Sequence, residues 1–434
     1  MPSSTLANPR TIKVGFLGFG TVGEGTHRML SDNVDEIFRK TGAKINITSI
    51  GIKDASKARC LPSELFTTDL KSIVTDPKID VVLELIGGEE LAGEMVDLAL
   101  DHGKHVVTAN KELIAKQGSR LISKARKKNL DLHFEAAVGG GIPVVQALKH
   151  QLAGNDVIKL MGILNGTTNY ILTRMEAEGA NFADVLADAQ KLGYAEADST
   201  NDVDGFDTMY KIAILAAITF GKQVDLSDIH REGIRSIGTE DMHYAEVFGY
   251  RIKLLGICEE IEPDTLMVRV HPTMIPRTHQ LAHVDDVFNA VWLKGDFVGD
   301  LMFSGRGAGG DPTASAVVGD LIDVCRNIVN EGDGSAIPYG EGMKSLPISE
   351  LETRYYLRLE VQDCPGTLGQ ISTTLGRRKV GLTAMEMKSK VGGLGEIAFL
   401  THVCREEDFV AAIEEVGNLD CVTKIESWMR VEQS

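Results

Sequence analysis

The sequence predicts an α/β protein in three parts: a doubly wound parallel sheet, a second α+β domain and a small C-terminal βαββαβ domain. From residue 11 to about residue 135, short apolar runs alternate with longer amphipathic stretches, which is typical of parallel strands joined by helices. At 434 residues the chain exceeds the size of a single core, so two or three domains are expected. A polar, glycine-rich segment at 331–350 has no hydrophobic period and is interpreted as a linker.

The first domain is predicted from its strands and the helices between them. The strand candidates are IKVGFLG, INITSIGI, DVVLELIG, HVVTAN and LDLHFEA. Between them, EELAGEMVDLALDHG and KELIAKQGSRLISKARKKN place apolar residues three and four apart and end at Gly or Asn, as helices do. These units indicate a dinucleotide-binding type of sheet over residues 11–135.

The two remaining domains differ in pattern. Residues 136–304 combine long helices, one of them the almost entirely apolar run MYKIAILAAITFG, with strands such as TLMVRVHPTMI and NAVWLKGDFVGDLMFSG. Residues 351–434 alternate as β, α, β, β, α, β, which is the ferredoxin-like order. The middle domain is therefore expected to hold a substrate or a second copy of the chain, and the last to be a compact module.

The overall charge excludes some partners. A net charge of -17 would repel a phosphate backbone, so no nucleic-acid partner is expected. No apolar run reaches the roughly 18 residues of a membrane span. The N-terminal MPSSTLANPR has neither a signal-peptide nor a transit-peptide pattern, and a cytoplasmic protein is expected.

A glycine-rich turn follows the first strand. The motif is GxGxxG, a weak signal alone and an informative one between a strand and a helix. Its first glycine permits the tight turn, its second lets a pyrophosphate approach the backbone, and its third lets the helix pack close. The predicted nucleotide-binding residues here are Gly18, Phe19, Gly20, Thr21, Val22 and Gly23.

The end of the second strand bears on the choice between NADP and NAD. Lys53 would suit the 2′-phosphate of NADP, whereas it is equally read as a solvated cation at a strand end. Asp54 could instead accept a ribose hydroxyl. The pattern favours NADP slightly and leaves NAD open.

An acidic cluster precedes the apolar helix. Asp207 and Lys211 are four residues apart, so they share one helix face, and an ordinary surface ion pair is the simplest interpretation. The helix that follows is apolar all round and hence buried, which makes a lysine at its start costly unless the lysine has a function. The spacing fits no Ca²⁺ loop, and a substrate with a cationic amino group fits better. The carboxylates are Glu196, Asp198, Asp202, Asp204 and Asp207.

A second lysine lies at a strand end. Lys111 directly follows HVVTAN, at the carboxyl end of a strand, where open α/β sheets bind ligands. A solvated cation on the helix face is the alternative. Its position after Thr108, Ala109 and Asn110 favours a functional role.

Six blocks occur together in order: GFGTVG, TANKELIA, EAAVGGGIP, GILNGTTNYILT, LGYAEAD with NDVDGFDTMYK, and GRGAGGDPTASAV. In this order the chain resembles homoserine dehydrogenase in its long bacterial form, with a C-terminal ACT domain. The resemblance implies a Rossmann-type first domain and NAD(P)-dependent interconversion of L-homoserine and L-aspartate 4-semialdehyde, in threonine, isoleucine and methionine biosynthesis. A catalytically inactive sensor of the same build is the alternative.

The resemblance also implies roles for individual residues. Lys211 would transfer the proton, and Lys111 would contact cofactor and substrate. The family's substrate residues correspond to Gly193, Glu196, Asp202 and Asp207. Thr108, Gly307 and Gly309 would contact the cofactor, so residues of about 305–330 would return to the first domain. Ser199 stands where the family commonly has proline.

Family members also bind a monovalent cation, usually sodium. A glycine-rich hinge between domains is a compatible interpretation of the same segment. The matching ligands are Glu135 and the carbonyls of Val138, Gly140 and Ile142.

The last module resembles an ACT ligand site at Asp363, Pro365 and Gly366, where free amides could take an amino-acid carboxylate. The resemblance implies feedback inhibition by threonine, and a pure dimerisation module is the alternative. A homodimer or homotetramer is expected, because the apolar strands TLMVRV and AVWLKGDFV need the surface of a partner subunit and ACT modules pair through their sheets.

Overall fold

The structure is a computed structural model that describes residues 9–57, 59, 61–263, 265–330, 344–390 and 392–432. Short 3₁₀ and π turns supplement its helices. The helices of the described residues are α1 Thr21–Asp32, α2 Val34–Thr41, α3 Leu70–Thr75, α4 Glu90–Asp101, α5 Lys111–Lys127, α6 Val144–Gln146, α7 Gly166–Glu178, α8 Phe182–Lys191, α9 Thr200–Val203, α10 Phe206–Phe220, α11 Thr239–Val247, α12 Gly310–Asn330, α13 Thr367–Arg377 and α14 Glu406–Gly417.

The strands fall into two sheets. Their bounds are β1 Thr11–Leu17, β2 Lys44–Gly51, β3 Phe66–Thr67, β4 Val81–Glu84, β5 His105–Thr108, β6 Leu132–His133, β7 Val157–Ile163, β8 His230–Arg231, β9 Tyr250–Glu262, β10 Thr265–Pro276, β11 Phe288–Gly295, β12 Gly299–Arg306, β13 Lys344–Ser345, β14 Glu352–Gln362, β15 Leu382–Ser389, β16 Leu394–Thr401, β17 Cys404–Arg405 and β18 Val422–Val431.

The first sheet is parallel and has the strand order β3-β2-β1-β4-β5-β6. The order changes direction between β1 and β4, and open α/β sheets bind ligands at the carboxyl ends of strands at such a point. The doubly wound sheet predicted from the sequence is confirmed. Its buried strands are covered by an apolar cluster to which α12 contributes Val317, Val318 and Leu321.

The second sheet joins the middle and C-terminal parts of the chain. Its order is β12-β11-β7-β9-β10-β18-β14-β16-β15, and β10 meets β18 through the pairs Thr273 with Arg430 and Met274 with Val431. The C-terminal βαββαβ unit predicted from the sequence is therefore present, and its edge strand continues the middle sheet. The middle domain and the C-terminal unit are therefore joined through one continuous sheet.

Buried ion pairs reinforce this junction. Asp241 on α11 accepts hydrogen bonds from Arg358 Nε at 3.0 Å and from the Tyr356 hydroxyl at 3.2 Å, both on β14. Arg430 on β18 donates to Glu232 at 3.1 Å. Paired buried charges resist separation because each would be left uncompensated.

Two sequence arguments are modified by the structure. Residues 331–343 of the predicted linker lie outside the described residues, and the rest includes β13, which pairs with β10. Strands β10 and β11 are buried almost throughout by other parts of the same chain. Their apolar character therefore does not by itself require a second copy. Within the described ranges, no helix is both long and apolar enough to cross a membrane.

Candidate active site

Two lysines meet on one buried carboxylate. Lys211 Nζ donates to Asp207 Oδ2 at 2.6 Å and to the Leu164 carbonyl at 2.7 Å, and Lys111 pairs with Asp207 Oδ1. Asp207 and Lys211 are one turn apart on α10, and their side chains are only 4% and 9% exposed. Lys111, at the start of α5, is 44% exposed. The predicted pair is thus the centre of a cluster that spans both sheets.

The pKa values of the three groups in this cluster are shifted in different ways. Burial by itself would raise the pKa of Asp207, but the charges of Lys211 and Lys111 outweigh it and hold that pKa well below its usual range. Burial is the largest influence on Lys211 and lowers its pKa; Asp207 opposes this, and Lys111 adds to it. The charge of Asp207 raises the pKa of Lys111 despite desolvation. Of the two lysines, Lys211 is the one that gives up its proton more easily.

Asn165 ties a second carboxylate to the cluster. Its side-chain amide donates to Asp207 at 2.9 Å and to Asp202 at 2.7 Å, while its Oδ1 caps α7 through the Thr168 amide at 2.9 Å. Burial, and then the nearby charge of Asp207, raise the pKa of Asp202. A helix cap therefore fixes the spacing of the two acids.

Lys111 is positioned by the end of β5. The side-chain oxygen of Asn110 caps α5 by accepting a hydrogen bond from the Leu113 amide at 3.0 Å. The backbone amide of Asn110 donates a hydrogen bond to the Thr108 hydroxyl at 3.0 Å. Thr108 in turn donates to Glu84, a fully buried carboxylate at the end of β4. Burial is the main reason why the pKa of Glu84 is raised. These contacts stiffen the strand ends beneath Lys111.

The glycine-rich turn has the shape that nucleotide binding requires. Gly18 has φ +100°, and a Cβ there would lie 2.6 Å from the Leu85 carbonyl. A Cβ on Gly23 would lie 2.9 Å from the Gly18 carbonyl, so α1 packs directly on the strand end. A Cβ on Gly20 would meet nothing within 4 Å, which leaves its face open. Together with Phe19, Thr21 and Val22, the turn fits a pyrophosphate at the start of α1.

The segment Gly307–Gly310 joins the end of β12 to the start of α12 and lies against the glycine-rich turn. A Cβ on Gly310 would lie 3.0 Å from Thr21 Cγ2. A Cβ on Gly307 would lie 1.9 Å from the side-chain nitrogen of Asn289. Gly309, with φ +118°, lies between the two contacts. The chain thus returns to the first sheet through α12, which packs on α1.

A cavity of about 620 Å³ opens beyond β2. Phe66, one of its lining residues, contacts Phe19 of the glycine-rich turn, with the ring centroids 5.6 Å apart. Lys57 and Arg59 line the cavity, and Arg59 lies over the Phe66 ring at 5.2 Å. Lys53 is exposed and is not among the lining residues. The Asp54 carboxylate accepts the Ser56 amide at 2.8 Å, so part of its capacity is used within its own turn.

Glu196 and Gly193 are exposed and lie on the loop 192–198, in which Ala195 is buried. Thr167, two residues after Asn165, holds the loop, because its hydroxyl donates a hydrogen bond to the Tyr194 carbonyl at 2.6 Å. No described contact joins the Glu196 carboxylate to Asp207 or Lys211; its main-chain carbonyl accepts Gln190 at 3.1 Å. At the loop's end Ser199 is buried, and its main-chain carbonyl accepts the amides of Asp202 and Val203 in α9.

The segment proposed for a cation is buried and tightly turned. The Glu135 carboxylate accepts the amides of Val145 at 2.9 Å and Gln146 at 2.7 Å. Val138 and Gly140 are buried, and no hydrogen bond from the described residues reaches their carbonyls. The Ile142 carbonyl accepts Val144 at 2.8 Å. Unused, buried carbonyls are the ligands that hard cations prefer.

The predicted regulatory residues lie at the start of α13. Gly366 has φ +95° and precedes the helix, and the Asp363 carboxylate accepts the Ser389 hydroxyl at 2.7 Å. Ser389 ends β15, the outer strand of the sheet, on which Met385 and Met387 are exposed.

Four residues of this region had no assigned role in the sequence analysis: Asn165, Glu84, Lys57 and Arg59. Asn165 had a detectable signal, because an Asn before an apolar helix is a strong N-cap candidate. Glu84 had a weaker one, as a carboxylate inside an otherwise apolar strand. Lys57 and Arg59 lie in a polar loop, where sequence alone does not distinguish a binding cation from a solvated one.

Comparison with known proteins agrees with this geometry. Family models match three segments: "Homoserine dehydrogenase, NAD binding domain" over residues 18–135, "Homoserine dehydrogenase" over 143–322 and "ACT domain" over 355–421. A homoserine dehydrogenase of Synechocystis sp. is 44% identical to this chain, and the match covers 97% of this chain and 99% of that protein.

Solved structures give the same result. A homoserine dehydrogenase from Thiobacillus denitrificans matches with a TM-score of 0.93 at 43% identity, covering 98% of this chain and 99% of that one. A hyperthermophilic archaeal homoserine dehydrogenase in complex with NADPH matches with a TM-score of 0.62 at 26% identity, over 72% of this chain and 97% of that one. With its three domain matches and its full-length relatives, the chain belongs to the homoserine dehydrogenase family.

Proposed function

We propose that the protein interconverts L-homoserine and L-aspartate 4-semialdehyde by hydride exchange with NAD or NADP. The observation that carries this proposal is the pair of lysines on Asp207, between the strand ends of the first sheet and the start of α10. Family membership supports the same reaction. A sensor without catalysis finds no support, because both lysines are present and the relatives are dehydrogenases by name.

Lys211 is proposed as the proton-transfer residue. Neutral Lys211 takes the hydroxyl proton during oxidation, and the protonated form supports the developing alkoxide during reduction. Its lowered pKa makes the neutral form accessible, and its bond to the Leu164 carbonyl fixes the direction of Nζ. The bound nucleotide supplies the hydride chemistry.

The carboxylates are proposed to hold the substrate. Asp207 and Asp202, linked by Asn165, present acceptors to an ammonium or a hydroxyl group, and Lys111 presents a cation beside them. Glu196 and Gly193 stay predictions of the family resemblance, since their loop is exposed. We expect the loop 192–198 to move towards Asp207 when substrate binds.

The nucleotide is proposed to bind across the glycine-rich turn, with its adenosine end towards Lys57 and Arg59. These two cations favour a 2′-phosphate and hence NADP, and they support that preference better than Lys53 does. Thr108, Gly307 and Gly309 are proposed to contact the cofactor, as the family resemblance implies. The domain division that we propose is 11–135 with about 305–330 for nucleotide, 136–304 for substrate, and 351–434 for regulation.

We propose sodium at the carbonyls of Val138 and Gly140, with Glu135 and Ile142 beside them. Buried carbonyls without donors support this site, although Ile142 already accepts one hydrogen bond. Activity measured in potassium, sodium and choline salts at equal ionic strength tests it. Equal rates in all three would contradict a cation requirement.

Threonine is the proposed regulator, at Asp363 and Gly366, and a homodimer or homotetramer is the proposed assembly. Strand β15 ends the second sheet within the described residues, and Met385 and Met387 on it are exposed, which supports pairing of C-terminal modules through this edge. Because β18 continues the sheet of β10, a point substitution tests threonine inhibition better than a truncation. Asp363→Ala should lose inhibition and keep activity; retained inhibition would contradict the site.

The decisive test is the homoserine-dependent change in absorbance at the reduced-nicotinamide band, with NAD and NADP compared. Malate, glutamate and serine serve as control substrates. Oxidation of homoserine alone supports the assignment. Equal or faster oxidation of another substrate would replace it.

A further inference from the structure

The turn between α9 and α10 sets the spacing of Asp202 and Asp207. Asp202 is on α9, Asp207 is in the first turn of α10, and residues 204–205 connect the two helices. Gly205 precedes α10 with φ +83°, and a glycine has no side chain with which to cap a helix. Contacts from elsewhere in the chain are therefore needed to fix the relative position of the two acids.

Strand β8 and the residues that follow it lie against this turn. A Cβ on Gly233 would lie 2.3 Å from the Val203 carbonyl oxygen, so the two segments are in direct contact. The Ile234 amide donates to the same carbonyl at 2.9 Å. Strand β8 pairs with β10, and the Glu232 amide donates to the Val270 carbonyl at 2.7 Å. The turn is thus supported by a strand of the second sheet.

Arg231 on β8 makes two contacts with the turn. Its guanidinium donates to the Asp204 carbonyl and lies over the Phe206 ring, 3.5 Å from the ring centroid. Both contacts are attractive, the first as a charge-assisted hydrogen bond and the second as a cation over an aromatic face. Phe206 immediately precedes Asp207, so a displacement of Phe206 would also displace Asp207. Arg231 therefore holds the chain on both sides of Gly205.

A cavity of about 640 Å³ borders this contact. Arg231 and Phe206 line it, together with apolar residues that include Met209, Leu226 and Leu346. Because there is open space beside the Phe206 ring, packing does not hold the ring on that side. Loss of the guanidinium would let the ring move into the cavity.

The residue next to Arg231 anchors β8 to the C-terminal unit. Glu232 accepts a hydrogen bond from Arg430 on β18 at 3.1 Å, and the buried Arg430 also pairs with Glu406 on α14. The Tyr355 hydroxyl donates to Glu406 at 2.7 Å. Paired buried charges resist separation, so β8 is a firm support for the Arg231 side chain.

We propose that Arg231 is a positioning residue that holds Asp202 and Asp207 at the spacing that homoserine requires. This role rests on the proposed function, because it assumes that the two acids bind the substrate. Asp207 and Lys211 are on the same helix and move together, so their contact survives a shift of the turn. What Arg231 sets is the alignment of α10 with Asp202 on α9.

Steady-state kinetics of Arg231→Met test the proposal, because Met keeps much of the side-chain volume and removes the guanidinium. The KM for homoserine should rise about ten- to a hundredfold, as when substrate-binding groups are misplaced, while kcat should stay within about threefold. The Kd of NADP, measured by calorimetry on the full-length protein, should be unchanged, because β8 belongs to the second sheet and the glycine-rich turn to the first.

Arg235→Met is the matched control. Arg235 pairs with the Asp204 carboxylate at 2.5 Å and is 49% exposed, so its loss should change the KM little. Arg231→Lys should restore part of the affinity, since an ammonium can still donate to the Asp204 carbonyl but lacks the planar face that covers Phe206. Phe206→Leu removes the ring from the same contact and should also raise the KM, which provides the test if Arg231→Met does not fold.

Three results would each show that Arg231 does not position the substrate. They are a wild-type KM in folded Arg231→Met or, if that variant does not fold, in Phe206→Leu; an equal rise in KM for Arg235→Met; and parallel losses of kcat, homoserine affinity and NADP affinity with a lower melting temperature. If the wild type bound NADP and did not oxidise homoserine, the proposed function would fail and this role with it. An active wild type with an unchanged variant would remove this role alone.

Discussion

Replacement of Lys211 by Met is the most direct test of the proposed chemistry. Met has a similar length and lacks the ammonium that contacts Asp207 at 2.6 Å and Leu164 at 2.7 Å. Asp207 keeps Lys111 and Asn165 as partners, so its charge stays compensated. The variant should fold, with a stability loss below the roughly 3–5 kcal/mol that follows when a buried ion pair loses one member completely.

The substitution should lower the catalytic rate by several orders of magnitude. A positioned general acid or base contributes about 10²- to 10⁴-fold to a rate. That range equals about 2.7–5.4 kcal/mol of transition-state stabilisation. Because Lys211 acts on the reacting hydroxyl, kcat should fall by this factor, while the Kd of NADP should change little.

The pH dependence of the rate should differ in sign between the two directions of the reaction. In wild type, oxidation requires neutral Lys211, so kcat/KM should rise with pH and level off above the lysine pKa. Burial, which the charge of Lys111 assists, lowers that pKa from 10.5, so the rise should end below this value. Reduction requires the protonated form and should fall over the same range. Lys211→Met should have neither limb.

The measurement is the initial rate of homoserine-dependent reduction of NADP across a pH series, with Lys71→Met as control. Lys71 is 63% exposed and pairs with Glu94, which is 54% exposed, so its loss should leave the rate unchanged. A Lys211→Met enzyme within tenfold of the wild-type rate, or with the wild-type pH profile, would refute the assignment.

Two further predictions concern stability. Asp241→Asn should lower the free energy of unfolding by less than the roughly 3–5 kcal/mol that follows when a buried charge loses all its partners, because Arg358, which pairs with Asp241 at 3.0 Å, keeps Glu396 at 3.1 Å. The loss should still exceed that of an exposed pair. Glu415→Gln, in an exposed pair, should cost at most about 1 kcal/mol, and equal losses in urea unfolding would contradict the argument. For Lys253, burial is the main cause that lowers the pKa from 10.5 to about 8. The unfolded chain therefore binds more protons between these values, and this lysine makes stability rise with pH there. The slope of stability against pH should be smaller for Lys253→Met, and an unchanged slope would contradict it.

Several features were predictable because they depend on local spacing. The 3.6-residue period places Asp207 and Lys211 on one face of α10, and the structure has them in contact. The alternation of apolar and amphipathic segments was sufficient for the parallel sheet and for the C-terminal βαββαβ unit. The short strand β3 and helix α3 escaped prediction, because two and six residues give too little periodicity.

Other features depend on which distant segments meet. Asn165 caps α7 by local rules, and only the tertiary contact between the start of α7, α9 and the first turn of α10 brings it to Asp202 and Asp207. The edge pairing of β10 with β18 could not be read from either strand, since an edge carries no sequence mark of its neighbour.

The amino-acid sequence by itself determined the kind of sheet, the glycine-rich turn, the lysine and carboxylate pair, and the family. These follow from residue type at short spacing, where backbone geometry sets the distances. Only the tertiary structure decided that two lysines share Asp207, and that the pKa of Lys211 is lowered while that of Lys111 is raised. Those outcomes depend on burial and on contacts between elements far apart in the chain, which local spacing does not specify.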